Sequence, residues 1–136
     1  MRQRWFAVVL ACFLASCPQS GGAAPAQPLI AADDWQAYKA RFFDRGGRII
    51  DGANGNISHS EGQGYGLLLS VLANSQPDFE LIWAFTRTEL LLRDDGLVAW
   101  KWSSGAKPHV TDLNNATDGD ILIAPKYRKI LDTYQS

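Results

Sequence analysis

Residues 58–66 read Ser-His-Ser-Glu-Gly-Gln-Gly-Tyr-Gly, which places one carboxylate where a glycine-rich loop runs into a helix. Apolar spacing after the loop predicts that helix from about Gly64 to Asn74. The glycines keep the backbone slim, so that a bulky substrate can approach it, and Tyr65 adds a hydroxyl and a stacking face. Glu61 is either a general acid or a first-turn residue that the helix dipole favours. The residues alone leave both interpretations open.

A second acidic cluster lies at residues 112–120, Asp-Leu-Asn-Asn-Ala-Thr-Asp-Gly-Asp. A calcium-binding loop is the obvious competitor, but the spacing does not fit. Ala116 stands at a ligand position, and Ile123 stands where such a loop needs glutamate. The structural alternative is a capped helix start with Thr117 or Asp118 as the N-cap. Asp118 is therefore either a functional carboxylate or a cap.

Two tryptophans lie between these clusters. The alternation from Leu97 to Trp102 predicts a short strand with Val98, Trp100 and Trp102 on one side. Exposed indoles would stack on pyranose rings, whose C–H groups suit an aromatic plane, whereas buried indoles would belong to the core. Paired carboxylates with exposed aromatic side chains are typical of a cleft that cleaves carbohydrates.

Three segments together resemble glycoside hydrolase family 8. They are SHSEGQGYG (58–66), GLVAWKW (96–102) and NNATDGDILIA (114–124), in this order. The resemblance runs from about Trp35 to Ala124 and is nearest to the periplasmic endoglucanases of bacterial cellulose-synthesis operons. It implies a mostly α fold that forms the N-terminal portion of an (α/α)6 barrel and is preceded by a signal peptide.

The resemblance also implies a reaction, the endo-hydrolysis of β-1,4-glucan with inversion. Glu61 matches the family's proton donor, and Asp118 matches a second catalytic carboxylate that holds the distorted sugar. Trp100 matches a sugar-stacking tryptophan, and Tyr65 and Trp102 are further candidates for substrate binding. No metal ion and no organic cofactor is implied. The expected partners are a cellulose chain and a cellulose-synthesis complex, and we expect a monomer.

The composition agrees with a folded protein that does not bind nucleic acid. Hydrophobic residues make up 46% of the chain, charged residues make up 20%, and the net charge is −1. These values exclude a disordered chain and a basic nucleic-acid-binding protein.

Hydrophobic periodicity predicts two more helices. The first is capped by Asp33 or Asp34 and runs to about Asp44, with its apolar face formed by Trp35, Tyr38 and Phe42. The second runs from Pro77 to about Arg93. Its inward side chains are predicted to be Phe79, Ile82, Trp83, Thr86 and Leu90.

The N-terminus is typical of an export signal. An apolar run from Trp5 to Ala15 follows two arginines and is too short to span a bilayer, which needs about 20 residues. Ala24-Pro25-Ala26 supplies a cleavage site, so that residues 1–26 form a signal peptide and the protein is periplasmic or secreted. In the alternative, Leu14-Ala15-Ser16-Cys17 is a lipobox and the protein is a lipoprotein anchored at Cys17.

The length of 136 residues limits what this chain can build. Twelve helices of average length, with their loops, need roughly 170 residues or more. We therefore predict that residues 27–124 form the N-terminal part of the catalytic domain, and that 125–136 are an unrelated tail. The family's base is an aspartate far beyond Asp118, so little or no activity is expected from this chain alone. The alternative function is a secreted, non-catalytic protein that binds carbohydrate or another partner.

Overall fold

Helices dominate the computed structural model, which describes residues 27–123, and this confirms the predicted mostly α fold. The proposed signal peptide (1–26), the alternative lipid anchor at Cys17 and the predicted tail (125–136) lie outside the described residues. Within 27–123, no helix combines the length and apolar character that crossing a bilayer requires.

Helix α1 spans Ala32–Phe42, and its apolar face is the predicted one. Trp35 is buried, and its ring lies 5.4 Å from that of Tyr38. The Tyr38 ring in turn lies 5.2 Å from that of Phe42. Because these side chains are one helical turn apart, they form a continuous aromatic stripe along the helix.

The predicted cap of α1 is wrong. The N-cap residue is Ala31, whose carbonyl accepts the Trp35 N–H at 3.1 Å. Asp33 and Asp34 lie inside the first turn, where the helix dipole favours carboxylates without any capping bond.

Between α1 and the next helix, the chain doubles back through two isolated antiparallel bridges and a 3-10 turn. The bridges join Phe43 to Ile49 and Asp51 to Ile57, and the turn spans Gly52–Asn54. Gly47 has a φ of +90°, and a Cβ there would lie 2.0 Å from the carbonyl oxygen of Leu81. Glycine is therefore required for the loop to reach the third helix.

Strands β1 (Ser58–His59) and β2 (Lys101–Trp102) form a short antiparallel ladder in which Ser58 lies opposite Trp102. The predicted strand from Leu97 is therefore correct only for its last two residues. Val98 and Ala99 are both buried, which breaks the predicted alternation before the ladder begins.

Helix α2 spans Ser60–Leu72 and begins four residues before the predicted Gly64. It starts early because the side chain of His59 caps it by accepting the Gly62 N–H. The glycines that suggested a loop lie instead inside the helix and face packed neighbours.

Helix α3 spans Gln76–Phe85 and continues as a π-helical turn over Thr86–Leu90. Only three residues separate it from α2, so the two helices form an antiparallel pair. Four of the five predicted inward side chains are fully buried, and Trp83 is half-buried. The four are Phe79, Ile82, Thr86 and Leu90.

A buried glutamine joins α2 to this core. Gln63 donates from Nε2 to the Gly47 carbonyl (3.2 Å) and to Thr86 Oγ1 (3.0 Å). Its Oε1 accepts the Ile49 N–H at 2.5 Å. All polar atoms of this fully buried side chain are thus paired, as burial requires.

Helix α4 spans Thr117–Ile123. The Ala116 carbonyl accepts the Asp120 N–H at 3.0 Å, which makes Ala116 the N-cap. The predicted helix start is therefore confirmed, but the predicted cap at Thr117 or Asp118 lies one or two residues too late.

Candidate active site

Two glycines bring α2 and α4 together in parallel. A Cβ on Gly119 would lie 2.0 Å from Ser60 Oγ, and a Cβ on Gly64 would lie 2.4 Å from Leu122 Cβ. The contact of Gly64 with Leu122 lies one turn after the contact of Ser60 with Gly119 on both helices. The two helices therefore run in the same direction, with their N-termini at the same end. Glu61 follows Ser60 in the chain and Asp118 precedes Gly119, so the structure carries both candidate carboxylates beside one helix contact.

Glu61 is the second residue of α2 and is half-buried. The amides on both sides of it are fixed. The Ser60 N–H donates to the Trp100 carbonyl at 2.9 Å, and the Gly62 N–H donates to His59 Nδ1 at 3.1 Å. The residue just before the candidate acid is therefore bonded to the backbone of the candidate stacking residue.

Trp100 is half-buried and held at several points. Its indole N–H donates to Asp112 Oδ2 at 2.8 Å, and its backbone N–H donates to the Asn114 carbonyl at 2.8 Å. The Lys101 ammonium lies 5.4 Å from its ring centre. The Asn114 N–H and the Trp100 indole N–H hold the pKa of the Asp112 carboxyl below its ordinary value. Asp112 thus stays charged and anchors the indole.

Trp102 lies in an aromatic cluster of its own. Its ring is 4.6 Å from that of His109 and 5.5 Å from that of Phe85, and the Arg48 guanidinium lies 4.8 Å from its centre. Its indole N–H donates to Glu89. The ring is occupied by intramolecular contacts, and its role in sugar binding stays a prediction.

Tyr65 lies one helical turn after Glu61 and is 48% exposed. It lines a groove of about 370 Å³ between α1 and α2. The walls are mostly apolar and aromatic, with one carboxylate and one imidazole. They comprise Tyr38, Phe42, Ile49, Ile50, Asp51, His59, Gly62, Tyr65 and Leu69.

The two aspartates of the Asp-Gly-Asp segment differ in their surroundings. Asp118 is exposed, and its Oδ1 accepts the Gly119 N–H at 2.7 Å. Asp120 accepts the Val98 N–H at 3.1 Å and the Asn115 side-chain amide at 2.5 Å, so both of its oxygens are engaged. Asp118 is the one available to a ligand, and Asp120 fastens α4 to the segment before Trp100.

Sequence reasoning missed the anchoring roles of Asp112 and Asp120. Both belong to the acidic cluster at 112–120, but their partners are about 12 and 22 residues away in the chain. Nothing in the local spacing indicates such pairs. Within residues 27–123, no group of three or more His, Cys, Asp or Glu side chains is arranged to hold a metal ion.

The chain matches known proteins over most of its length. The sequence profile of glycosyl hydrolases family 8 matches residues 1–129. An endoglucanase of Cellulomonas uda is 49% identical over 90 residues, which are 66% of this chain and 25% of that protein. A probable endoglucanase of Novacetimonas hansenii is 42% identical over 105 residues, 77% of this chain and 31% of that protein.

Solved structures give the same result. The family 8 endoglucanase Cel10 of Klebsiella pneumoniae matches with a TM-score of 0.70 at 43% identity, over 76% of this chain and 34% of that chain. An endoglucanase of Komagataeibacter sucrofermentans matches with a TM-score of 0.66 at 47% identity, over the same shares.

This chain thus spans about a quarter to a third of the relatives that it matches. The matches confirm that its helices form part of the (α/α)6 fold that the resemblance implied. The profile match over residues 1–129 shows that the chain belongs to glycosyl hydrolases family 8.

Proposed function

We propose that this chain supplies the proton-donor side of an endo-β-1,4-glucanase active site. The observation that carries the proposal is the parallel contact of α2 and α4, which puts Glu61 and Asp118 beside the same pair of helix starts. The Ser60 N–H donates to the Trp100 carbonyl, so the backbone of the candidate stacking residue lies at the start of α2. Relatives that share the fold are endoglucanases by name.

In the proposed mechanism, Glu61 gives its proton to the glycosidic oxygen as the bond to C1 breaks. Asp118 binds the distorted sugar at the cleavage point, and Trp100 and Tyr65 offer faces on which sugar rings stack. An inverting enzyme also needs a base on the opposite face of the ring, roughly 6.5–9.5 Å from the acid, to activate water. Among residues 27–123, Asp120 does not suit this role because both of its oxygens are already bonded.

The remaining expectations are proposals of the same kind. We propose that the substrate is cellulose, that the protein is exported to the periplasm or beyond, and that it acts as a monomer near a cellulose-synthesis complex. The support is the family membership together with the apolar run Trp5 to Ala15.

The test is a chimera, because this chain spans about a third of the endoglucanases that it matches and the chimera supplies the remainder. Residues 58–123 replace the matching segment of the Komagataeibacter sucrofermentans endoglucanase, which is 47% identical. The chimera should hydrolyse carboxymethyl-cellulose, and Glu61→Gln should lower kcat at least 100-fold, as expected for loss of a general acid. The matched control is Glu80→Gln on the exposed side of α3, which should leave kcat unchanged.

A folded chimera without turnover, or full turnover after Glu61→Gln, would contradict the proposal. The 136-residue chain is measured in parallel for binding of cellohexaose. Binding without hydrolysis that Trp100→Ala abolishes in the chain, combined with an inactive chimera, would instead favour the non-catalytic carbohydrate-binding protein.

A further inference from the structure

A histidine, and not one of the usual oxygen-bearing residues, caps the helix that carries Glu61. His59 Nδ1 accepts the Gly62 N–H at 3.1 Å, and His59 Nε2 lies 3.1 Å from Asp51 Oδ2. A ring nitrogen that accepts a hydrogen bond carries no proton, so the proton of the neutral ring is on Nε2. That nitrogen then donates to the Asp51 carboxylate.

Asp51 is itself held in place. Its Oδ1 accepts the backbone N–H groups of Ala53 (3.1 Å) and Asn54 (3.2 Å), and its Oδ2 accepts the Asn54 side-chain amide at 2.5 Å. The carboxylate is therefore fixed by the 3-10 turn before it binds the imidazole. It selects the tautomer of His59 in the way that a carboxylate orients a histidine in other sites.

Packing against Gly62 also holds the imidazole in place. A Cβ on Gly62 would lie 3.3 Å from His59 Cε1 and 3.4 Å from Nδ1. Glycine at this position lets the ring lie close against the first turn of α2. The His59 side chain is 29% exposed and lines the groove.

These contacts bracket Glu61. The cap bond holds the amide of the residue after it, and the Trp100 carbonyl holds the amide of the residue before it. We propose that His59, oriented by Asp51, is a positioning residue that fixes the first turn of α2 and with it the direction of the Glu61 side chain. The inference rests on the proposed function of Glu61 as the acid, but its geometry can be tested without turnover.

The experiment uses NMR on the full chain. Long-range ¹H–¹⁵N spectra should show His59 as the Nε2-protonated tautomer. His59→Ala should speed amide exchange at Gly62 about tenfold, the size of effect that loss of a cap produces, and should average the Cα–Cβ rotamers of Glu61. Exchange at Leu67 to Leu69 should change less than twofold. His59→Asn supplies a new cap acceptor and should restore both the Gly62 exchange rate and the Glu61 coupling pattern of the unsubstituted chain.

The matched control is His109→Asn, since His109 is the chain's only other histidine and bonds to the Ser103 carbonyl. It should leave Gly62 and Glu61 unchanged. An Nδ1-protonated ring, an unchanged Gly62 amide in His59→Ala, or an unchanged Glu61 rotamer with lowered thermal stability would each overturn the positioning role. In a chimera that begins at residue 48, so that it contains Asp51 as well as His59, His59→Ala should lower kcat and leave KM unchanged. Absence of turnover in the unsubstituted chimera counts against the proposed function and leaves the NMR result to decide the role of His59.

Discussion

Gly119 is the residue with the least room in the candidate site. A methyl group there would lie 2.0 Å from Ser60 Oγ, 2.5 Å from Ser60 Cβ and 3.0 Å from the Ser60 carbonyl carbon. Rotating the hydroxyl cannot relieve all three contacts, so α4 would have to move away from α2.

Gly119→Ala should therefore lower the free energy of unfolding by about 1–2 kcal/mol. Overpacking costs about 1–3 kcal/mol, and the better helix propensity of alanine offsets up to about 1 kcal/mol. Urea denaturation of the two proteins measures the difference.

Two further variants make that measurement specific. Gly105→Ala has open space around the added methyl group and should be close to neutral. Ser60→Gly combined with Gly119→Ala should recover part of the loss, because the clashing Cβ is gone. Equal stability of Gly119→Ala and Gly105→Ala would show that α2 and α4 are not in the close contact described.

At this scale the sequence identified the candidate carboxylates through their motifs, and it could not identify what holds them. Histidine, which caps α2 at position 59, is not among the residue types usually expected at an N-cap. The partners of Asp112 and Asp120 are distant in the chain. Such pairs arise from tertiary packing, which local spacing does not encode.

Between elements, α1 is held to α3 by a single carboxylate. Asp78 Oδ2 accepts the Trp35 indole N–H (2.8 Å) and the Ser75 hydroxyl (2.7 Å), and it pairs with the Lys39 ammonium at 2.9 Å. Burial by itself raises the pKa of this carboxyl, but the bonds from Ser75, Lys39 and Trp35 outweigh it. The pKa therefore lies below its ordinary value of 3.8.

A lowered pKa in the folded state means that ionised Asp78 stabilises the fold above its unfolded pKa. The stabilisation is lost as the pH falls through the lower, folded value. Asp78→Asn should cost about 1–2 kcal/mol at pH 7, allowing for the partial exposure of the site. The difference in free energy of unfolding between the unsubstituted protein and Asp78→Asn should shrink progressively below about pH 4.

Unfolding by urea at pH 7 and pH 3 checks this expectation. Asp33→Asn, at an exposed position in the first turn of α1, is the control and should show a small difference. If Asp78→Asn lowers the free energy of unfolding as much at pH 3 as at pH 7, the charge of the carboxylate does not contribute to docking α1.

The helices were predictable where one face repeats with helical spacing, as in the stripe of Trp35, Tyr38 and Phe42. The ends of the helices were harder to predict than their apolar faces. The start of α2 was missed because three glycines lower helix propensity, and tertiary contacts at Gly64 and Gly66 override that preference. The strand before Trp102 was overextended because Val98 and Ala99 are both buried, an arrangement that alternation excludes.

For the molecule as a whole, helix α1 is the least integrated of the longer helices. Its docking relies on the Asp78 contacts, on the bridge from Phe43 to Ile49 and on an aromatic stripe that borders the open groove. Helix α2, by contrast, lies between α3 and α4, and its inner side chains are fully buried.

Amide hydrogen exchange should separate these two parts. Protection factors of the α1 amides should lie at least tenfold below those of α2, because regions with less buried surface open at lower free energy. Exchange measured at pH 7 by NMR gives both values in one sample. Equal protection in α1 and α2 would show that the groove does not weaken the attachment of α1.

The family and the mostly α fold could be inferred from three motifs, and the matches confirm both. The spatial arrangement of the site could not, because it depends on which helix faces meet. The sequence contains Gly64 and Gly119, but only the structure shows that they lie in the same interface between parallel helices.

The interface between α2 and α4 sets the spacing of Glu61 and Asp118. That spacing therefore does not depend on the length of the loop that joins β2 to α4. Residues 103–116 link β2 to α4 without regular structure and include the exposed turn at Ser104 and Gly105. An insertion at this turn lengthens the path along the chain from Glu61 to Asp118. It does not alter the spacing of their helices, which is set where Gly119 packs against Ser60 and Gly64 packs against Leu122. Natural or engineered variation in this loop can therefore reshape what borders the carboxylates while leaving the carboxylates in register.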